Sequence, residues 1–249
     1  MTRFGARARR PGDALAPRKG MWGWDLGAAG LALGWGAVSH RYVPKRWRPV
    51  AGAAAALGLA AIARGLGADA RDIGCDRRDL ASGLRIGAGA AGAIAAVTAT
   101  GRALDRRGTA FRDDRVTSTS PAEAALHLLV SIPLATALVE ELVFRGVILG
   151  AGVRDGGDRR RALAVSSIAF GLWHIGAALH PARQQATGDA IGHHLASTPA
   201  VVFGDVVATT IGGFGFGWLR LRSGSIAAPV IAHATLNASA YLATRLRND

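Results

Sequence analysis

Apolar residues gather into blocks of about 20 residues, the length a helix needs to cross a bilayer, and charge is confined to the stretches between them. The blocks run over 22–40, 49–67, 83–101, 121–151, 161–179, 197–219 and 225–244. Apolar runs of this length, bounded by Arg-rich segments, predict an all-α, polytopic transmembrane helical bundle of about seven spans, between six and eight. Block four is too long for one span and contains Pro133, which predicts a helix break there.

The same pattern divides the chain into three parts. Residues 1–20 carry six basic residues and one acid among Gly and Pro and read as a disordered basic arm. Residues 21–120 read as N-terminal transmembrane helices with an amphipathic surface helix at 69–85, where acids and bases alternate around Ile73, Leu80 and Leu84. Residues 121–245 form the helical core, and 102–118 and 180–196 are expected loops, the second holding His180, Pro181, His193 and His194. Gly30 and Gly34 make a small-xxx-small pair suited to close helix packing. Gly87 to Gly92 match the dinucleotide fingerprint GxGxxG, but that motif works after a strand, and here it lies inside an apolar helix. A close-packing helix face is the better reading.

Half of the residues are hydrophobic, mean hydropathy is +0.22, and the net charge is +13. So basic a chain invites nucleic-acid binding, which wants a basic face on a soluble module. Here Arg7 to Arg10, Arg41 to Arg48, Arg77-Arg78, Arg106-Arg107 and Arg159 to Arg161 flank the apolar blocks instead, where cations meet anionic lipid headgroups. The expected partners are membrane lipids and not nucleic acid. The basic arm favours an N-terminus inside, no cleavable signal peptide is evident, and Trp22, Trp24, Tyr42, Trp47 and Trp218 near block ends suit an interfacial belt. The single cysteine, Cys75, excludes internal disulfides and multi-cysteine metal sites.

Against this background three polar clusters stand out. Glu140, Glu141 and Arg145 share one apolar block, where each ionised group at a bilayer centre costs about 2.5–3.5 kcal/mol. Glu141 and Arg145 are i,i+4 neighbours in the order that favours an ion pair. Glu140 lies about 100° further round the helix, without a local cation, and suits a general base in a partly dry cavity. His174 in block five has Phe170 one turn away on its face, and His233 and Asn237 share a face of block seven. Singly, each is explained by a helix–helix hydrogen bond worth about 0.6 kcal/mol. Together, a carboxylate, two imidazoles and an amide are the parts that activate a water and stabilise an oxyanion.

Glu-Glu-xxx-Arg, Phe-xxx-His and His-xxx-Asn, in that order on successive apolar helices, resemble the CPBP intramembrane proteases, which include the type II CAAX prenyl endopeptidases and bacteriocin-processing relatives. The stretches Glu140–Gly146 and Gly217–Ala238 look like the family too, and the likeness covers about 121–245. The resemblance implies an intramembrane endopeptidase with a polar catalytic cavity, acting on a membrane-associated or lipid-modified peptide in a plasma membrane, a bacterial one on this composition. It implies Glu140 as the base that activates water, His174 as its partner, and His233 and Asn237 as oxyanion donors. Glu141 and Arg145 would support them, and Asp205 in block six is a further candidate. Whether zinc takes part stays open: Glu140, His174 and His233 would be its ligands in a His₂Glu manner, although no HExxH is present.

Other designs compete. A rhomboid-like serine site fails because neither Ser82 nor Ser225 has the required context, and the aspartyl type fails because Val202-Phe203-Gly204-Asp205 lacks its first glycine. A non-proteolytic scaffold or immunity protein, and a proton-coupled transporter using the buried carboxylates, are the alternatives from other classes.

Overall fold

The structure, a computed structural model, describes residues 23–105, 114–179 and 198–246, and among these no β-strand occurs. The basic arm, residues 106–113 of the expected 102–118 loop and the His-containing loop lie outside the described residues; of the rest of that loop, 102–104 close a long helix and Asp114–Thr117 form a helical turn. Each of the seven apolar blocks folds as one long helical element: α1 (Trp24–Tyr42), α2 (Arg48–Gly65), α3 (Arg77–Leu104), α4 (Pro121–Val153), α5 (Arg159–Ala178), α6 (Thr198–Ser223) and α7 (Ala227–Arg245). Among the described residues four helices, Arg77–Leu104, Pro121–Val153, Arg159–Ala178 and Pro199–Ser223, are long and apolar enough to cross a membrane. The other three have lower hydropathy for visible reasons. Helices α1 and α2 are built largely from Gly and Ala with charged ends, and α7 carries His233, Thr235, Asn237 and Ser239.

Helix starts follow local chemistry. Asp76 caps α3 by accepting from Arg78 N at 2.9 Å, and Asp158 caps α5 by accepting from Arg160 N at 2.9 Å. Ser120 and Glu123 form a capping box at α4, with Pro121 where a missing N–H costs nothing.

The break expected at Pro133 is absent. Residues 127–138 and 142–148 take wider, π-type turns, and Pro133 sits within the first of them. A ring that cannot donate and crowds the preceding turn is accommodated where the helix widens, so α4 runs through.

The amphipathic helix expected at 69–85 is not formed either. Its second half is the start of α3, and its first half is a knot of turns. Asp69 N donates to Asp72 and Asp72 N donates back to Asp69, at 2.9 and 2.8 Å. Gly74 has φ +74°, and a Cβ there would strike the Arg220 guanidinium. Arg154 at the end of α4 donates to Gly67 O at 2.6 Å, and Arg220 on α6 donates to Arg71 O and Asp72 O at 3.0 and 2.9 Å. Ile226 N, just before α7, donates to Gly74 O at 2.9 Å. Backbone carbonyls of this stretch, with the Asp72 carboxylate 3.5 Å from Arg154, tie together the ends of α4, α6 and α7.

Helix α3 lies along α7, α5 along α6, α1 against α5, and α2 against the second half of α4. Gly83 and Gly87 meet α7 so closely that a Cβ on Gly87 would come within 3.1 Å of Ala228 Cα, so the packing reading of the GxGxxG stretch holds at Gly87 but not at Gly89 or Gly92, where a Cβ meets nothing within 4 Å. Gly30 and Gly34 do not pack: a Cβ on either meets nothing within 4 Å. Ala28, Ala32 and Gly36 form the buried face of α1 instead. Leu31, Leu57, Val97, Phe203 and Ile211 point outward, as bilayer-facing side chains do. The chain is a multi-pass membrane protein. Its centre is the second half of α4, where residues 143–150 are all buried.

Candidate active site

That central half of α4 carries the charged motif into the core. Glu141 and Arg145, one turn apart, have no exposed surface, and Arg145 Nη1 donates to Glu141 Oε1 at 3.2 Å. Arg145 Nη2 donates to the Gly213 carbonyl of α6 at 3.1 Å, and its guanidinium lies 4.2 Å from the Phe170 ring centre. Hydrogen bonds and an aromatic face are what a dry cation requires. Gly213 permits the contact, because a Cβ there would stand 3.1 Å from Ser167 Cα and 3.2 Å from Arg145 Nη2.

The second partner of Glu141 comes from α7. His233 Nδ1 lies 2.9 Å from Glu141 Oε1, and its Nε2 lies 4.0 Å from Glu140 Oε2. The imidazole therefore stands between the two adjacent glutamates, hydrogen-bonded to Glu141 alone. Phe216 of α6 stacks on it at 4.9 Å and 17°, and Phe170 meets it edge-on at 5.8 Å. The ring is held by a carboxylate at one nitrogen and aromatic surface on two sides, which fixes its orientation.

Glu140 faces elsewhere, as the helical angle requires. It lines a cavity of about 440 Å³ bounded by α1, α2, α4 and α5, which His174 also lines. One carboxylate oxygen of Glu140 is buried and has no hydrogen-bond partner among the described residues. His174 interrupts α5 between Trp173 and Ile175, at φ −80°, ψ −6°, in the sparsely populated bridge region where many active-site residues sit. Its Nδ1 is 2.7 Å from Phe170 O, which leaves Nε2 for the cavity, and Phe170 packs on its ring at 4.6 Å. Walls of Ala, Leu, Val and Trp keep most of the cavity apolar.

Of the residues expected from sequence, Glu140, Glu141, Arg145 and His233 come together directly, and His174 shares the cavity with Glu140. Neither His233 nor Asn237 forms the cavity wall; Asn237 lies one turn beyond His233 on α7, half-buried. Asp205, half-buried on α6, does not line the cavity. The supporting pair reaches His233 rather than Glu140. Phe216 and Gly213 escaped the sequence reading, since a stacking ring and a backbone acceptor carry no charge to betray them. Trp35, Gly52 and Ala56 of α1 and α2 also line the cavity, so the first two blocks contribute to it.

Both Nδ1 atoms are engaged, His174 with a carbonyl and His233 with Glu141, which leaves each Nε2 as the nitrogen open to a ligand. Among the described residues no three His, Cys, Asp or Glu side chains converge as metal ligands.

Residues 122–239 match the family model described as Type II CAAX prenyl endopeptidase Rce1-like. No curated protein and no solved structure matches the chain.

Proposed function

We propose that the chain, whose residues 122–239 belong to the Rce1-like type II CAAX prenyl endopeptidase family, is an intramembrane endopeptidase that cuts a membrane-associated or lipid-modified peptide with a glutamate-activated water. The observation that carries this reading is the split of the Glu pair. Glu140 and His174 face one cavity, while Glu141 turns inward to Arg145 and His233.

In this reading a water between Glu140 and His174 Nε2 loses a proton to Glu140, and its oxygen attacks the scissile carbonyl carbon. The C=O electron pair becomes an oxyanion, for which His233 Nε2–H and Asn237 are donors once the carbonyl enters between α4 and α7. Glu141 at Nδ1 supports the imidazole when it carries both protons, as a buried carboxylate does for a catalytic histidine. Glu140 then passes its proton to the leaving nitrogen, the C–N bond breaks, and carboxylate and amine products separate. A largely apolar cavity limits competing water and strengthens each of these interactions.

The test is Glu140→Gln in proteoliposomes of a bacterial-type lipid mixture. Cleavage of a quenched lipidated peptide should fall by several orders of magnitude, while the variant retains bound peptide that mass spectrometry can identify. Wild-type turnover by Glu140→Gln would remove the enzyme reading, and proton-coupled uptake lost in the same variant would replace it with transport.

A further inference from the structure

Two adjacent serines of α5, Ser166 and Ser167, have no exposed surface, and a hydroxyl so placed needs a hydrogen-bond partner. Ser167 finds one in its own helix, donating to Leu163 O at 2.7 Å, the usual recourse of a helical serine. Ser166 does not. Its Oγ donates across to Phe144 O of α4 at 2.8 Å. That carbonyl belongs to the wide stretch 142–148, where it also accepts from Leu149 N, five residues on, the bond of a π-type turn.

The bond joins the two rows of side chains that carry the chemistry. Ser166, Phe170 and His174 follow at i, i+4 and i+8 along one side of α5, and Glu140 and Phe144 at i and i+4 along α4. Between the ends of these rows the Phe144 and Phe170 rings meet edge to face at 5.2 Å and 80°. Beyond the rings, Glu140 and His174 line the cavity, of which Ser166 forms no part. By the helical rise Ser166 stands about 12 Å along α5 from His174, so any influence on the site passes through the helices. Wide turns of this type occur mostly at functional sites, and a donor from outside the helix anchors this one to a fixed place on α5. A serine that only satisfied its own hydroxyl would make the local bond that Ser167 makes. Resting on the peptidase reading above, we infer that Ser166 is a positioning residue for the reaction: its hydroxyl anchors the wide turn of α4 to α5 and so sets how closely Glu140 approaches His174.

Ser166→Ala and Ser167→Ala each remove one buried hydroxyl from adjacent positions, so the second is a matched control for packing and stability. Both are made in the full chain and assayed in proteoliposomes with a quenched lipidated peptide, with rates referred to folded protein. Ser166→Ala is expected to lower kcat on the order of 10- to 100-fold, up to the loss that a misplacement of about 1 Å brings, with KM little changed. Ser167→Ala is expected to keep the wild-type kcat. A second measurement needs no turnover. Spin labels at Leu138→Cys on α4 and Ile168→Cys on α5, both exposed positions, in a Cys75→Ser chain report the spacing of the two helices. Their distance distribution is expected to shift or broaden in Ser166→Ala and not in Ser167→Ala. Labels that Ser166→Ala leaves unmoved overturn the inference, whether or not the protein cleaves. Moved labels with an unchanged kcat also overturn it and assign the bond to packing alone. If wild type cleaves nothing, moved labels still give Ser166 control of the approach of Glu140 to His174, and the missing chemistry falls on the peptidase reading alone.

Discussion

Arg145→Met removes the cation and leaves Glu141 in a space with no exposed surface. Breaking a buried pair from one side costs about 3–5 kcal/mol, because the remaining carboxylate loses its cation and keeps, among the described residues, only the His233 hydrogen bond. The ring contact at 4.2 Å to Phe170 adds up to about 2 kcal/mol where water is excluded, within that same range, and methionine refills part of the volume. Glu141→Gln/Arg145→Met, by contrast, leaves no buried charge, and a buried pair replaced on both sides is often near neutral. What stays unpaid is the Gly213 carbonyl, at about 1–3 kcal/mol. The double variant should therefore be more stable than the single one by about 2 kcal/mol. Thermal unfolding in detergent, followed by tryptophan fluorescence, should place Arg145→Met roughly 10 °C below wild type, with the double variant recovering part of the loss. An Arg145→Met protein within 1 °C of wild type, or a double variant less stable than the single, would refute the buried-pair account.

Glu140→Gln should unfold within about 1 kcal/mol of wild type, since its side chain is 14% exposed and faces open cavity; a large loss of stability would show it to be structural. Gly171→Ala should destabilise by about 1–3 kcal/mol, because the new Cβ collides with Thr210 Oγ1 and the Val206 carbonyl where α5 crosses α6; neutral substitution would contradict that close approach. Phe216→Ala should cost about 3–5 kcal/mol, and in the surviving protein lower kcat more than it raises KM, by freeing the His233 ring; an unchanged kcat would separate the stack from the chemistry. Elemental analysis of purified wild type and His174→Ala should find no stoichiometric zinc in either, since no three donor side chains converge among the described residues; one zinc per wild-type chain, lost in His174→Ala, would show that Glu140, His174 and His233 gather round a metal.

Much of the molecule follows from order along the chain. Seven apolar blocks become seven long helices because hydropathy over about 20 residues is a property of the segment alone. The i,i+4 ion pair of Glu141 and Arg145, and the separation of Glu140 from it, follow from 3.6 residues per turn. Other features are joint properties of distant segments. Whether Pro133 breaks α4 depended on the wider turns around it, and the charged stretch 69–76 became a clamp because Arg154 and Arg220 reach it from the ends of α4 and α6. Spacing placed His233 on a face with Asn237. The packing of α7 decided that its imidazole would bond Glu141 and stand 4.0 Å from Glu140, with Phe216 stacked against it. The division of labour within the pair has the same origin. One helix can aim two adjacent carboxylates in different directions, but only the surrounding helices make one direction a cavity and the other a sealed core.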